Sequence, residues 1–186
     1  MKRITSVVLP AIITALLTFI LSGCIVFHKV SYVVTLDTPT SGTVKVTAFD
    51  MRSNAKTKQE FEQDKKNLFD YMLKSDDFVA AQKAQGKDIT SRKLYIEKGV
   101  LMGEGIYKFD DISKVEGIKY EGGFHYLNLA LDDSVMATNG EIVRSKEFKR
   151  IMWDSTFKEL QFTMFSFSFD KDKYKPLAPY YNSKKK

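Results

Sequence analysis

SYVVTLDTPTSGTVKVTA, residues 31–48, is the stretch on which the reading of the fold turns. Residues 31–37 and 43–48 are rich in β-branched side chains and roughly alternate, the period of a strand with two unlike faces. Between them Thr38-Pro39-Thr40-Ser41-Gly42 gathers residues that favour turns. The stretch predicts a strand–turn–strand unit.

The same pattern returns further along. Residues 92–98 and 100–109 flank Lys98-Gly99, and residues 118–120 and 124–131 flank Glu121-Gly122-Gly123. Residues 135–138 and 141–144 flank Asn139-Gly140, the strongest hairpin signal in the chain because that pair accepts positive φ at low cost. Residues 150–153 and 159–169 complete the strands. Only residues 57–85 change period. Phe61, Leu68, Phe69, Met72 and Leu73 recur at helical spacing, with Glu60, Glu62, Asp64, Lys65 and Lys66 on the other face. Ser75-Asp76-Asp77 is suited to cap a second helix that Gly86 would stop. The expected class is α+β, a largely antiparallel sheet with a helical segment at about 57–85 packed on one face.

The strand LQFTMFSFSF, residues 160–169, carries apolar residues on both parities. Leu160, Phe162 and Met164 share one face, and Phe165, Phe167 and Phe169 share the other. Either both faces are covered, or a bulge between Met164 and Phe165 re-aims the second half. The set Phe165, Phe167 and Phe169 is accordingly a candidate contact for an apolar ligand, against the plainer reading of a core strand.

The chain opens with Lys2 and Arg3, then an apolar run of about fifteen residues, short for a hydrocarbon core of ~30 Å and laid out like a secretory signal peptide. Leu21-Ser22-Gly23-Cys24 closes it with small residues and the only cysteine. This tetrapeptide resembles the lipobox of bacterial lipoproteins. The resemblance implies that residues 1–23 are removed and that a diacylglyceryl group joins the Cys24 sulfur, with the new amino group acylated in many hosts. Burying one acyl chain holds a protein only marginally, whereas two or three make detachment slow. The thiol would then be consumed, which removes disulfide, redox and cysteine-type zinc chemistry. Ile25, where an Asp would imply retention at the inner membrane, implies the outer membrane in a Gram-negative host. In a Gram-positive host the implied place is the outer face of the cytoplasmic membrane. Residues 24–30 read as a lipidated tether, 31–170 as one domain, and 171–186 as a basic irregular tail.

The formal charge of the whole chain is +6, and five of those charges sit on Lys2, Arg3, Lys184, Lys185 and Lys186, which leaves +1 for the body. A nearly neutral body argues against nucleic acid as a partner. The three terminal lysines are candidates for contact with an anionic surface, each worth about 1 kcal/mol near charged lipid.

No residue pattern points to catalysis, to a metal or to a cofactor. His28 and His125 are two isolated histidines, and no Ser or Cys has the setting of a nucleophile. The doublets Asp76-Asp77, Asp110-Asp111 and Asp132-Asp133 fall at element ends, where Asp caps helices and stabilises turns. Gly103-Glu104-Gly105 lies inside a strand rather than before a helix, so it reads as a bulge or a close backbone approach and not as a phosphate cradle. Trp153 reads as core. The expected function is that of a non-enzymatic envelope module, held at the membrane by lipid on Cys24 and contacting an envelope protein or wall component. The alternative is a carrier with a pocket lined by the terminal Phe set. An enzyme would need a cleft that gathers His125 or a doublet Asp with other polar groups.

Overall fold

The computed structural model describes residues 25–165 and 172–181. Strand β1 (Ile25–Val26) leads into the long hairpin β2 (Lys29–Leu36) and β3 (Gly42–Phe49), then β4 (Arg52–Ser53). Helix α1 (Lys58–Lys66) runs on through a π-helical turn (Asn67–Met72) and is followed by α2 (Asp76–Ala84). The remaining elements are β5 (Asp88–Glu97), β6 (Val100–Phe109), a 3-10 turn (Ile112–Lys114), β7 (Lys119–Glu121), β8 (Phe124–Leu129), β9 (Val135–Thr138), β10 (Glu141–Arg144), β11 (Lys149–Asp154), β12 (Glu159–Phe165), β13 (Lys175–Pro176) and a closing 3-10 turn (Ala178–Tyr180). The structure is thus mainly β with some helix. Every strand pair is antiparallel.

Three sheets form. Six strands run in the order β5-β6-β3-β2-β12-β9, four in the order β10-β11-β8-β7, and β1-β4-β13 make a small third sheet. The alternation predicted in residues 31–48 has a direct consequence. Val30, Tyr32 and Val34 of β2 stand beside Ala48, Val46 and Val44 of β3 and beside Met164, Phe162 and Leu160 of β12. One face of the six-stranded sheet is therefore apolar. The opposite face is polar in its centre, where Glu104 bridges Lys45 at 3.3 Å and Lys93 at 2.9 Å. An antiparallel sheet covered on one side has this division.

Two covers share the apolar face. The four-stranded sheet and the chain through Ile112, Val115 and Ile118 close over Val34, Val44, Phe109, Leu160 and Phe162, and contribute Leu127, Ile151 and Trp153. Toward β5 and β6 the cover is helical. Phe61 and Leu68 join Met51, Ala55 and Leu101, together with Leu177 and Ala178 from the end of the chain. Thr57 starts α1 with a reciprocal cap, its Oγ1 accepting from Glu60 N at 3.1 Å while Glu60 Oε2 accepts from Thr57 N at 3.0 Å. Ser75 caps α2 by accepting from Asp77 N at 3.1 Å.

Several expectations change here. Residues 25–30 are not a free tether: Ile25 and Val26 pair with Ser53 and Arg52, and Lys29 and Val30 already belong to β2. Nor is the whole of 171–186 an irregular tail. Lys175 and Pro176 pair with β4, and Leu177 is fully buried because α1 leaves an apolar surface that the chain end covers. The Asn139-Gly140 turn is not a hairpin, since β9 pairs with β12 and β10 with β11. The chain passes there from one sheet to the other. A Cβ on Gly140 would meet Trp153 Nε1 at 2.5 Å and Met152 O at 2.7 Å, so glycine is required by the close crossing rather than by a tight turn. Asn139 Oδ1 accepts from Trp153 Nε1 at 2.7 Å and from Gln161 N at 2.8 Å, tying the two sheets together. In β12 the pairing with β2 is regular through Phe165, and the irregularity lies one residue earlier, against β9 between Thr163 and Met164.

Candidate functional site

Between the two covers the apolar face is left open. Its inward positions carry large side chains in the middle of the sheet but Ala48, Gly103 and Gly105 toward β5. The two glycines act differently. A Cβ on Gly103 would meet Met51 Sδ at 2.7 Å, so Met51 already fills that space; a Cβ on Gly105 would meet nothing within 4 Å. The space that remains is a cavity of about 160 Å³. Val30, Val46, Ala48, Ile89 and Leu94 form the sheet side, and Leu68, Met72, Leu73 and Phe78 the helical side. Ile25, Phe27 and Met51 close one end. The π-helical turn matters because it contains both Leu68 and Met72; an extra residue in the turn re-aims the side chains that follow. Arg92 fixes this roof to β5, donating from Nη1 to Met72 O at 3.0 Å and to Ser75 O at 2.8 Å.

The other end is polar. Tyr32, Tyr107, Lys87 and Glu116 line it. Burial pushes the Tyr32 phenol well above its ordinary value, helped by the nearby Glu116 charge, by Tyr107 and by a hydrogen bond to the Glu116 carboxylate. Burial, and after it the Glu116 charge, pushes Tyr107 up as well. Both phenols therefore stay protonated through the neutral range. Tyr107 Oη, however, is buried and has no hydrogen-bond partner among the described residues. Lys87 Nζ stands 5.5 Å from the centroid of the Tyr107 ring. Glu116 reaches this end from a left-handed backbone, φ 52°, directly before Gly117 at φ 76°. A side-chain-bearing residue in that conformation is held there by its surroundings.

The residues singled out from sequence lie elsewhere. Phe165 is half-buried at the end of β12, edge-on to the His28 ring at 4.9 Å, and is not part of the cavity wall. Cys24, Phe167, Phe169, Lys184, Lys185 and Lys186 lie outside the described residues. His125 is buried under the four-stranded sheet, where its Nε2 and Pro39 O are 2.6 Å apart, fixing the β2–β3 loop. The acidic doublets stay apart. Asp111 caps the 3-10 turn through Ser113 N at 2.9 Å, and Asp133 accepts from Ala130 N at 2.8 Å. Among the described residues no three His, Cys, Asp or Glu side chains gather as metal ligands, and no helix is long and apolar enough to cross a membrane.

The sequence carries one signal of the cavity. Inward positions that carry Ala and Gly in a face otherwise lined by Val, Tyr and Phe mark either a filled or an empty space, and only the neighbours decide which. No protein-family model matches the chain, and no curated protein or solved structure matches it significantly.

Proposed function

We infer that the chain is an envelope lipoprotein, anchored through lipid on Cys24, whose folded part is a non-enzymatic binding module for a small apolar ligand. The cavity of about 160 Å³ between the six-stranded sheet and the helices carries this reading. Its size compares with an engineered cavity of ~150 Å³ that stays dry and takes up benzene. Ile25, a wall residue, directly follows the lipobox-like Leu21-Ser22-Gly23-Cys24, so one wall lies a single peptide unit from the expected anchor, about 3.8 Å along the chain. A ligand drawn from the bilayer would have a short path. Between the non-enzymatic alternatives, the cavity favours ligand binding over a purely protein-contacting module, and it moves the site from the Phe-rich strand to the β5–β6 end of the sheet. In class terms we read the architecture as α+β, with the helical segment on one face of the sheet. The bonds from Arg92 to Met72 and Ser75 support that.

The test is titration of the full chain with toluene, followed by methyl NMR, on wild type and on Gly105→Leu. Wild type is expected to show saturable shifts at Leu68, Met72 and Val46, and Gly105→Leu to lose them, because its side chain occupies the space. Shifts that are absent from wild type, or equal in the variant, overturn the reading. Intact-mass analysis of the native protein tests the anchor separately, by a mature chain that starts at residue 24 and carries a glyceride.

A further inference from the structure

The two large sheets turn unlike outer faces to solvent. On the six-stranded sheet the outward side chains satisfy one another: Glu104 takes both Lys45 and Lys93, and Thr163 Oγ1 donates to Ser31 Oγ at 3.0 Å. The four-stranded sheet differs. Ile151 and Trp153 of β11 are buried inward, so Arg150, Met152 and Asp154 alternate to the outside. The register sets Met152 beside Tyr126, and Asp154 beside Phe124, which is exposed. Exposed Phe148 lies against Arg150. Phe, Tyr, Met and Arg together have the composition of an interface core rather than of a solvated face.

Arg150 is held in place but not satisfied. Its guanidinium carbon lies 4.3 Å from the centroid of the Phe148 ring and 5.1 Å from that of Tyr126. The two rings fix the group and strip part of its water, which strengthens any charge-assisted bond it makes. Among the described residues no carboxylate pairs with it and no hydrogen bond uses it; Nε is buried, while the two Nη atoms stay open to solvent. Glu121, on the same face, accepts instead from Tyr126 Oη at 2.9 Å. The missing carboxylate is present on the same strand. Asp154 is exposed, and only its Oδ1 is used, by Thr156 N at 2.8 Å and by the Thr156 hydroxyl. Within one chain Arg150 and Asp154 are four residues apart, about 13 Å along a strand, too far to pair.

We propose that a second copy of this chain docks on the outer face of the four-stranded sheet, about a twofold axis that crosses β11 at Met152. Arg150 and Asp154 stand two residues to either side of Met152. Laid face to face with the strands antiparallel, the copies bring Met152 onto Met152 and each Arg150 onto the partner copy's Asp154, twice over. Sheets stack ~10 Å apart, a gap that one arginine and one aspartate side chain span together. Four strands ~4.8 Å apart and about six residues long make a face on the order of 400 Å², roughly half of one partner's share in a standard interface, so the pairing is a weak one. The face is separate from the cavity, and neither reading needs the other.

The test is thiol crosslinking of the full chain in intact cells with a short bismaleimide. Met152→Cys places a thiol at the axis, Lys83→Cys on the exposed face of α2 controls for random collision, and wild type gives the background of Cys24. Met152→Cys is expected to give about tenfold more covalent dimer than Lys83→Cys, because the axis brings identical residues together. In the Met152→Cys chain, Arg150→Asp or Asp154→Arg alone should lower the yield about tenfold, since like charges then face each other in two places. The two together should restore it, as the pair is only exchanged. Equal yields at 152 and 83, single charge variants that leave the yield unchanged, or a double variant that stays as low as the singles would each overturn the proposal. An adduct at 152 whose mass is not twice that of the chain would place a different protein on this face and overturn it as well.

Discussion

One sheet face is covered in two ways. Under the four-stranded sheet, Val34, Val44, Leu160 and Phe162 meet Leu127, Ile151 and Trp153, and all seven are nearly or fully buried. Under the helices the facing positions are Ala48, Gly103 and Gly105, and the apolar contacts of Phe61 and Leu68 with Met51, Ala55 and Leu101 are supplemented by polar ties at the rim. Arg92 bonds to the carbonyls of Met72 and Ser75, Ser53 Oγ donates to the buried Asp64 at 2.6 Å, and Tyr181 Oη donates to Leu94 O at 2.7 Å. Side-chain volume fills the first half, while in the second the small residues of the sheet leave a space that the packed helices and these bonds bridge. Shape complementarity gives stability where it is complete; a rim of hydrogen bonds keeps a space where it is not.

The difference is broken most directly by cutting the filled half. Phe162 stacks on Tyr32 with centroids 4.6 Å apart and lies 6.1 Å from Trp153. Phe162→Ala is expected to cost about 3–5 kcal/mol, since the surrounding sheets cannot collapse into the gap. Leu68→Ala, a similar excision at the cavity wall, should fall near the lower end of the ~2–5 kcal/mol range, because that side chain already has empty space on one side. Chemical denaturation of both variants checks this. Equal losses would mean that the two covers are packed alike.

The filled half is also the half most legible in sequence. The alternation in residues 31–48 places β2 and β3 within two residues of their ends, and Lys98-Gly99 and Gly122-Gly123 are two-residue turns at positive φ, as their composition predicts. These features are local: each is decided by side chains within a few residues. Asn139-Gly140 misled because its glycine answers to Trp153, fourteen residues away in Asn139's own hydrogen bond. The two-residue strands β1 and β13 exist only through pairing with β4, which nothing in their own residues announces. The site was hidden for the same reason. Gly103 and Gly105 look identical in sequence, and the presence of Met51 beside one and of nothing beside the other is a tertiary fact. The Phe-rich strand offers bulk, while the cavity depends on small residues.

The polar end of the cavity gives the comparison a pH signature. Tyr32 and Tyr107 have folded-state values raised above the ordinary phenol value, by burial first and then by the Glu116 charge. The sign follows from linkage. Below about pH 10 the phenols are protonated in both the folded and unfolded chains, and their contribution is fully present. Above it the unfolded chain releases protons that the folded chain retains, so stability falls by about 1.4 kcal/mol per pH unit for each such tyrosine. Denaturant titrations between pH 8 and 11.5 should show this fall, and Tyr107→Phe should make it shallower by one proton. A slope unchanged by that substitution would mean that Tyr107 is not buried as the structure shows.

The smallest expected effect is the most discriminating. Glycine inside a strand costs roughly 0.5–1 kcal/mol relative to alanine through backbone entropy. Restoring a methyl at a filled position sets that gain against a clash, and at an empty position it does not. Gly105→Ala adds a Cβ with nothing within 4 Å, so it should leave stability unchanged or raise it by up to about 1 kcal/mol. Gly103→Ala, two residues along the same strand and on the same face, drives a Cβ to 2.7 Å from Met51 Sδ and should gain less or lose. Met51 is a flexible side chain, which limits the loss to what its displacement costs. Thermal melts of the two single variants therefore measure the cavity without any ligand. If the two alanines behave alike, the space beside Gly105 is filled in solution and the two covers of the sheet are less different than their side chains suggest.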